Sequence, residues 1–477
     1  MTLLGVFFIP AALLCFLWRP FYLLPLLIVA SVFEAGSVLN GAIGNFEFGV
    51  QPFYLVEVFI ALRLVMLGLG LRKLLPRPEN PVRAIVILVF LFWLWSFPSA
   101  FIMPHLFAGT LVSVPRNGGD AEFAPLVWNL SNLAQAGYVT LNVATVLYAL
   151  HVVRTHGQTE QLMRALYWAA FVVVFVGFAQ FLAFQAGWDF PYETFNSNPG
   201  YAMGFEEDIG SIHRFNSTFL EPSYAGSYLS AISCGLLASL LSGRRGIGLF
   251  LALLGAVGVL FLTTSTTGFA ALAVGVFALV ISFNPLRRHK ETGKSSALGW
   301  TVFLVIFGLV GLVVLFNPDF SDAVLVGTFA KWETTSFWTR LANDVQAIRV
   351  FLDTKGLGVG LGSSRSSGLI FTMLSSVGIV GTALFAAVFY KIVKSFPGRL
   401  VQSSLQLTFW ALLTLLVSEI LSVPDISRPV LWGLLILVLT QLNVHFDPRP
   451  AKESAKKRRV VALAPPLQGA SGVAPAN

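Results

Sequence analysis

Apolar runs of roughly the length of one bilayer crossing recur along the whole chain. They fall near 3–33, 52–70, 84–103, 126–150, 165–186, 223–241, 247–263, 268–284, 297–316, 367–390, 404–421 and 429–445. A backbone crossing lipid must satisfy its amides internally, which leaves only helices or a closed barrel. The short alternating segments of a barrel are not the pattern here. The expected fold is therefore all-α, a polytopic integral membrane helical bundle of about 12–13 transmembrane helices. The uncertainty of one comes from the first run, which is too long for an upright helix and carries Pro10, Arg19, Pro20 and Pro25. It is one broken helix or a pair of short ones. With 56% hydrophobic and only 11% charged residues, a soluble enzyme is excluded.

The charges fix the orientation. The excess of 31 Lys and Arg over 23 Asp and Glu gives +8, which would suit nucleic acid, but its distribution does not. Cations gather in Arg72–Arg83, Arg154–Arg164, Arg244-Arg245, Arg287–Lys294, Lys391–Arg399 and Lys452–Arg459, all on one side if the spans alternate. Asp189, Glu193, Glu206, Glu207, Asp208, Asp319 and Asp322 lie on the other. This is the positive-inside pattern. It puts the C-terminus in the cytoplasm and two long loops, 187–222 and 317–366, outside. No basic segment precedes the first run, so a cleaved signal peptide is not expected. Cys15 and Cys234 both fall in apolar runs and read as small core residues. The chain reads as one integral domain, 1–446, followed by a basic, disordered tail, 447–477.

The most informative stretch is Arg214-Phe-Asn-Ser-Thr-Phe-Leu-Glu221-Pro222-Ser223, a charged, proline-bounded segment between two apolar runs. In the second outer loop, Trp338, Leu341, Val345, Ile348 and Leu352 recur at helical spacing with Ser336 placed to cap them. They predict a short amphipathic helix at the membrane–water boundary. After it comes Gly356-Leu-Gly358-Val-Gly360-Leu-Gly362-Ser-Ser-Arg365-Ser366-Ser367, running into the next span. This glycine run is either a flexible re-entry loop or, with Arg365 and the helix N-terminus, a cradle for an anion.

Arg214, Arg340 and Arg365 lie outside, where the topology rule disfavours cations. Guanidinium forks hold phosphate oxygens in pairs of hydrogen bonds, and the alternative is an ion pair with one of the outer acids. Arg349 carries the same two readings. Glu221 is either a general base or a partner that orients Arg214. Glu57 and Arg63 within a span, and Glu419 near a span's outer end, are intramembrane charges that need a role. The scattered histidines show no metal-ligand spacing, and His213 reads as a solvated loop residue. No cofactor or metal is expected.

On these residues the chain resembles the bacterial O-antigen ligase and Wzy-type polysaccharide polymerase superfamily. The resemblance rests on Arg214 to Gly226, on Arg340 followed by Gly358-Val-Gly360-Leu-Gly362, and on Gly378-Ile-Val-Gly381. The ligases place a histidine shortly before that Gly-x-x-Gly, where this chain has Arg365, Ser366 and Ser367, which looks more like the polymerases. The resemblance implies a metal-independent glycosyl transfer at the outer face of the bacterial inner membrane. Donor and acceptor would be undecaprenyl diphosphate-linked glycans. Glu221, Arg214 and Arg340 would be catalytic, and Arg365, Ser223, Ser366, Gly360 and Gly362 would bind diphosphate or glycan. Membrane lipid, a flippase and a chain-length regulator are the implied partners. Transfer to another acceptor, as in a ligase, and a secondary transporter or flippase are the alternatives. A transporter would place its ligand near the midplane between two repeated halves, and no such repeat is visible.

Overall fold

A computed structural model describes residues 1–44, 46–114, 122–157, 159–200, 208–209, 212–244, 246–283, 308, 335–398 and 401–447. The acids Glu206, Glu207, Asp319 and Asp322, the basic segment 287–294, most of the expected span 297–316 and the tail beyond Asp447 lie outside this description. Ser336, expected to cap a helix, lies inside one that already includes Thr335.

The first apolar run is a pair of short helices. α1 (Leu3–Trp18) and α2 (Leu23–Ala30) are separated by Arg19 and a 3₁₀ turn at Pro20–Tyr22. There follow β1 (Leu39–Ile43), β2 (Phe46–Val50), α3 (Pro52–Met66), the single turn α4 (Leu71–Leu74) and α5 (Val82–Leu106). Next come β3 (Leu111–Val114), β4 (Glu122–Pro125), α6 (Leu130–His156), α7 (Thr159–Ala186), the turn α8 (Tyr192–Phe195), β5 (Asp208–Ile209) and β6 (Ile212–His213). The chain continues through α9 (Pro222–Leu241), α10 (Ile247–Leu262) and α11 (Thr266–Phe283). It ends with α12 (Thr335–Asp353), α13 (Leu369–Ser395), α14 (Ser403–Ser422) and α15 (Pro429–Phe446). Eight of these helices are long and apolar enough to cross a membrane, and three further apolar ones are shorter, among the described residues. The molecule is a multi-pass helical membrane bundle. Among the described residues, three strand pairs form antiparallel hairpins in the connections, with no larger sheet.

Local chemistry sets several boundaries. Proline opens α3, α9 and α15, where its missing amide costs nothing. Asn129 caps α6 with a reciprocal bond to Asn132, and Gly157 ends it in the left-handed conformation, φ 66°.

The axis of the bundle is α9, all twenty of whose residues are buried. It packs against α10, α11 and α14. The approach is close because the facing residues are small. A Cβ on Gly268 would come within 2.9 Å of the Gly226 backbone, and one on Gly235 within 2.5 Å of the Leu407 carbonyl. α9 begins at what we call the upper end. That end also holds the α10–α11 turn, the starts of α6, α13 and α15, the end of α14, and α12.

Two features complete the upper end. The β3–β4 hairpin holds α12 from beneath, since Gln346 Nε2 donates to the Leu111 carbonyl at 2.6 Å and Ser113 Oγ bonds Asn343 Oδ1 at 3.0 Å. Val112, Leu126, Val350 and Val359 form a small separate core there. The predicted amphipathic helix is thus present as α12, and its apolar stripe faces away from the bundle. Trp338 is 59% exposed and Leu352 65%, with Leu341, Val345 and Ile348 exposed between them. Its other face, from Arg340 through Asn343, Asp344 and Ala347 to Val350, turns inward.

Candidate functional site at the upper end of the bundle

The segment before α9 is built into the bundle rather than exposed on its surface. Phe215 to Leu220 are all buried. Gln180 of α7 donates to Asn216 Oδ1 and the Ser217 carbonyl and accepts from the Ser217 amide at 2.8 Å. Ser217 sits at φ 54° inside this clasp. His213, half-buried, is stacked on Phe184, with ring centroids 4.6 Å apart and planes 8° from parallel.

Arg214 reaches the α10–α11 turn, where its Nε donates to the Thr263 carbonyl at 3.2 Å and to Thr264 Oγ1 at 3.1 Å. Glu221 occupies the N-cap of α9 and accepts from Ser223 Oγ at 3.1 Å. Its bond is to Ser223 and not to Arg214, so the reading of Glu221 as the orienting partner of Arg214 has no contact behind it. Its side chain remains partly exposed.

The residue that organises the site is Tyr224, one turn into α9. Its hydroxyl donates to Asp425 Oδ2 at 2.9 Å and accepts from Arg365 Nη2 at 2.9 Å. Arg365 also pairs with Asp425 at 3.3 Å. Beneath lies Arg428, 1% exposed and missed in the sequence. Its Nε bonds both oxygens of Glu34, at 2.9 and 3.1 Å, and its Nη1 bonds Glu419 at 2.5 Å and Ser227 Oγ at 2.9 Å. Its Nη2 bonds the Tyr224 carbonyl at 3.1 Å, and its plane lies 4.8 Å from the Tyr224 ring centre. Burial pushes the Glu34 carboxyl above its usual value, and the adjacent Arg428 guanidinium opposes that shift. Burial likewise disfavours the Arg428 charge, but Glu34 and Glu419 outweigh it and hold its pKa above the ordinary value. The signal for Arg428 was available. It is an arginine at the upper start of a span, where the charge rule disfavours one.

Arg340 is different. Its Nη1 donates to Ser422 Oγ at 3.3 Å, and this is its one hydrogen bond among the described residues. The nearby acid, Asp344 on the next turn of α12, is engaged elsewhere. It accepts from Ser366 Oγ at 2.5 Å and from Ser367 Oγ at 2.7 Å to each oxygen. That clamp ties α12 to the start of α13. It also gives Ser366 a structural partner, while its amide donates to Thr372.

The glycine run has a defined shape. Gly356, Gly358, Gly360 and Gly362 all have positive φ, from 78° to 100°. The amides of Val359 and Gly360 donate to the carbonyls of Ser375 and Ser376, both at 2.8 Å. Those carbonyls lie where α13 breaks, at Gly378 with φ 65° and ψ −167°. Trp95 Nε1 takes the Val377 carbonyl at 2.7 Å. The run therefore satisfies a helix interruption, and Gly360 is corrected from anion donor to structural residue. Its Cβ would stand 2.5 Å from the Ser99 carbonyl, and that of Gly362 2.7 Å from the Ser131 carbonyl. Arg349 is exposed on α12, and Glu57 is fully buried with neither carboxylate oxygen hydrogen-bonded.

At one end of the bundle the structure thus brings together Arg340, Arg365, Ser223, Glu221, Tyr224 and Asp425, over the buried Glu34–Arg428–Glu419 group. Arg214 stands at the neighbouring turn. No protein-family model matches this chain, and no curated protein matches it.

Proposed function

We propose that the chain is a polysaccharide polymerase of the bacterial inner membrane, a metal-independent glycosyltransferase with its upper end in the periplasm and its C-terminus in the cytoplasm. It extends a glycan carried on undecaprenyl diphosphate. The observation that carries the reading is Arg340. It is a partly buried guanidinium, anchored by one serine, with most of its donors uncommitted among the described residues, and the acid one turn along the helix, Asp344, is engaged by two other serines. Arg428, in contrast, is fully neutralised and structural.

In the transfer, an acceptor sugar hydroxyl attacks the anomeric carbon of the donor. The carbon–oxygen bond to the lipid diphosphate breaks, and the electron pair leaves with the diphosphate. The hydroxyl proton passes to Glu221, whose carboxylate is partly exposed at the N-cap of α9. Arg340 stabilises the negative charge developing on the diphosphate, with Arg214 and Arg365 flanking it. The apolar stripe of α12 lies in the outer leaflet, which brings Arg340 to the depth of a lipid phosphate.

The test is direct. The purified chain is mixed with an undecaprenyl diphosphate-linked repeat unit, a chelator and no ion gradient. Longer glycans are expected from the wild type and from Arg349→Ala, and much slower extension from Arg340→Ala. No new glycosidic bond from any lipid-linked unit of its own organism would overturn the reading in favour of transport.

A further inference from the structure

The lower end carries a cationic cavity, separate from the site above. It measures about 310 Å³ and is lined by Arg19 and Pro20–Tyr22, by Arg63 of α3 and Leu67 just past its end, and by Tyr148, His151, Val152 and His156 of α6. No carboxylate lines it among the described residues. Neither the Arg19 nor the Arg63 side chain makes a hydrogen bond or ion pair among the described residues. Arg63 is only partly exposed, and no counter-charge meets it among the described residues. The buried Nδ1 of His151 also lacks a partner. His156 Nδ1 is held near the Val152 carbonyl at 3.2 Å and near Thr155 Oγ1 at 2.8 Å, so its Nε2 is the ring nitrogen directed elsewhere. Tyr148 fixes the cavity wall by donating to the Pro20 carbonyl at 3.0 Å. The rim is apolar and outward-facing. Leu17, Trp18, Leu62, Val65 and Met66 are all exposed.

Two unpaired guanidiniums and two imidazoles in an acid-free cavity call for a compact anion with several oxygens. The exposed apolar rim beside it offers a path for acyl chains. We propose that this cavity binds a phosphate ester, delivered either as the head of an anionic membrane lipid or as free phosphate. The volume falls at the lower end of small-molecule sites, roughly 300–1,000 Å³. The role assigned to the upper end is not needed for this inference.

The full chain, purified in neutral detergent and stripped of lipid, is titrated with dihexanoyl phosphatidylglycerol, dihexanoyl phosphatidylcholine and inorganic phosphate. Binding of phosphatidylglycerol or of inorganic phosphate is expected, weakened about tenfold or more in Arg19→Gln/Arg63→Gln by loss of charge-assisted bonds. Arg164→Gln, an exposed arginine paired with Glu160, should bind like the wild type. Phosphatidylglycerol binding well ahead of phosphate identifies the lipid head, and equal binding identifies the free anion. Because the Arg19 side chain is exposed and has no hydrogen-bond partner among the described residues, Arg19→Gln alone should fold and show a partial loss, which keeps the test valid if the double variant does not fold. The proposal is overturned if neither anion binds, if the variants bind like the wild type, or if phosphatidylcholine binds as well as phosphatidylglycerol.

Discussion

The amide of Gly360 donates to the carbonyl of Ser376 at 2.8 Å, joining the glycine run to the point where α13 is interrupted. Unwound backbone at membrane depth is tolerated only where protein satisfies its polar groups. Here the alternating glycines do so. Their positive φ turns successive amides toward the broken helix, and their missing Cβ atoms let three other backbones approach.

Gly360→Ala should therefore destabilise the bundle. The left-handed backbone alone costs about 1–2 kcal/mol, before the clash with the Ser99 carbonyl at 2.5 Å. Gly248→Ala is the control, since no atom lies within 4 Å of a Cβ placed there. Thermal unfolding followed by size-exclusion fluorescence should show a lower midpoint for the first and none for the second. Equal midpoints would remove the structural role given to the run.

Arg428 should behave as a buried structural cation. Arg428→Ala strands Glu34 and Glu419 without a counter-charge, and breaking a buried pair from one side costs about 3–5 kcal/mol. Folded yield should fall sharply. The triple variant Glu34→Gln/Glu419→Gln/Arg428→Met removes all three charges and should recover much of it. A yield for the triple variant no better than for Arg428→Ala would show that packing on Tyr224 and Phe219, and not charge, is what Arg428 supplies.

Much of the fold was legible because the signals are local. Runs such as 84–103 and 429–445 became α5 and α15 with small shifts of boundary, and the stripe from Trp338 to Leu352 announced α12. The site was legible only in pieces. Arg340 and Arg365 stood out as cations on the wrong side of the charge asymmetry. Arg428 obeys the same logic, but its partners Glu34 and Glu419 come from distant segments, and nothing in their spacing joins them. The hairpins escaped because short strands such as Leu111–Val114 lack a clear alternation. The glycine run offered exposed amides on paper, and only the break at Gly378 explains where those amides go.

The outward stripe of α12 should lie against lipid. Nitroxide labels at Val345 and Leu352 in reconstituted protein should relax faster with oxygen than with a polar nickel chelate. A label at Lys355, just past the helix end, should show the reverse. Polar accessibility at both stripe positions would detach α12 from the membrane surface and remove the argument that it sets the depth of Arg340.

The decisive contrast is between Arg340 and Glu221, which serve different steps of the proposed transfer. Arg340→Ala removes a donor to the leaving diphosphate, and such a loss costs about 2–4 kcal/mol, or roughly 30- to 1000-fold in rate. Its only side-chain hydrogen bond among the described residues is the 3.3 Å one to Ser422, so thermal stability should change little. Arg340→Lys should recover little, because an ammonium cannot offer the two parallel donors of a guanidinium. Glu221→Gln removes a proton acceptor while keeping the shape that accepts from Ser223. It should lower kcat and leave the KM for the lipid-linked donor near the wild-type value. Arg340→Ala should weaken the diphosphate contact as well, so both constants should worsen. Glycan length on gels and initial rates with the purified chain measure these effects. If Glu221→Gln extends glycans at the wild-type rate, the base lies elsewhere. If Arg340→Ala does so, the cation cluster at the upper end is structural and the polymerase reading loses its main support.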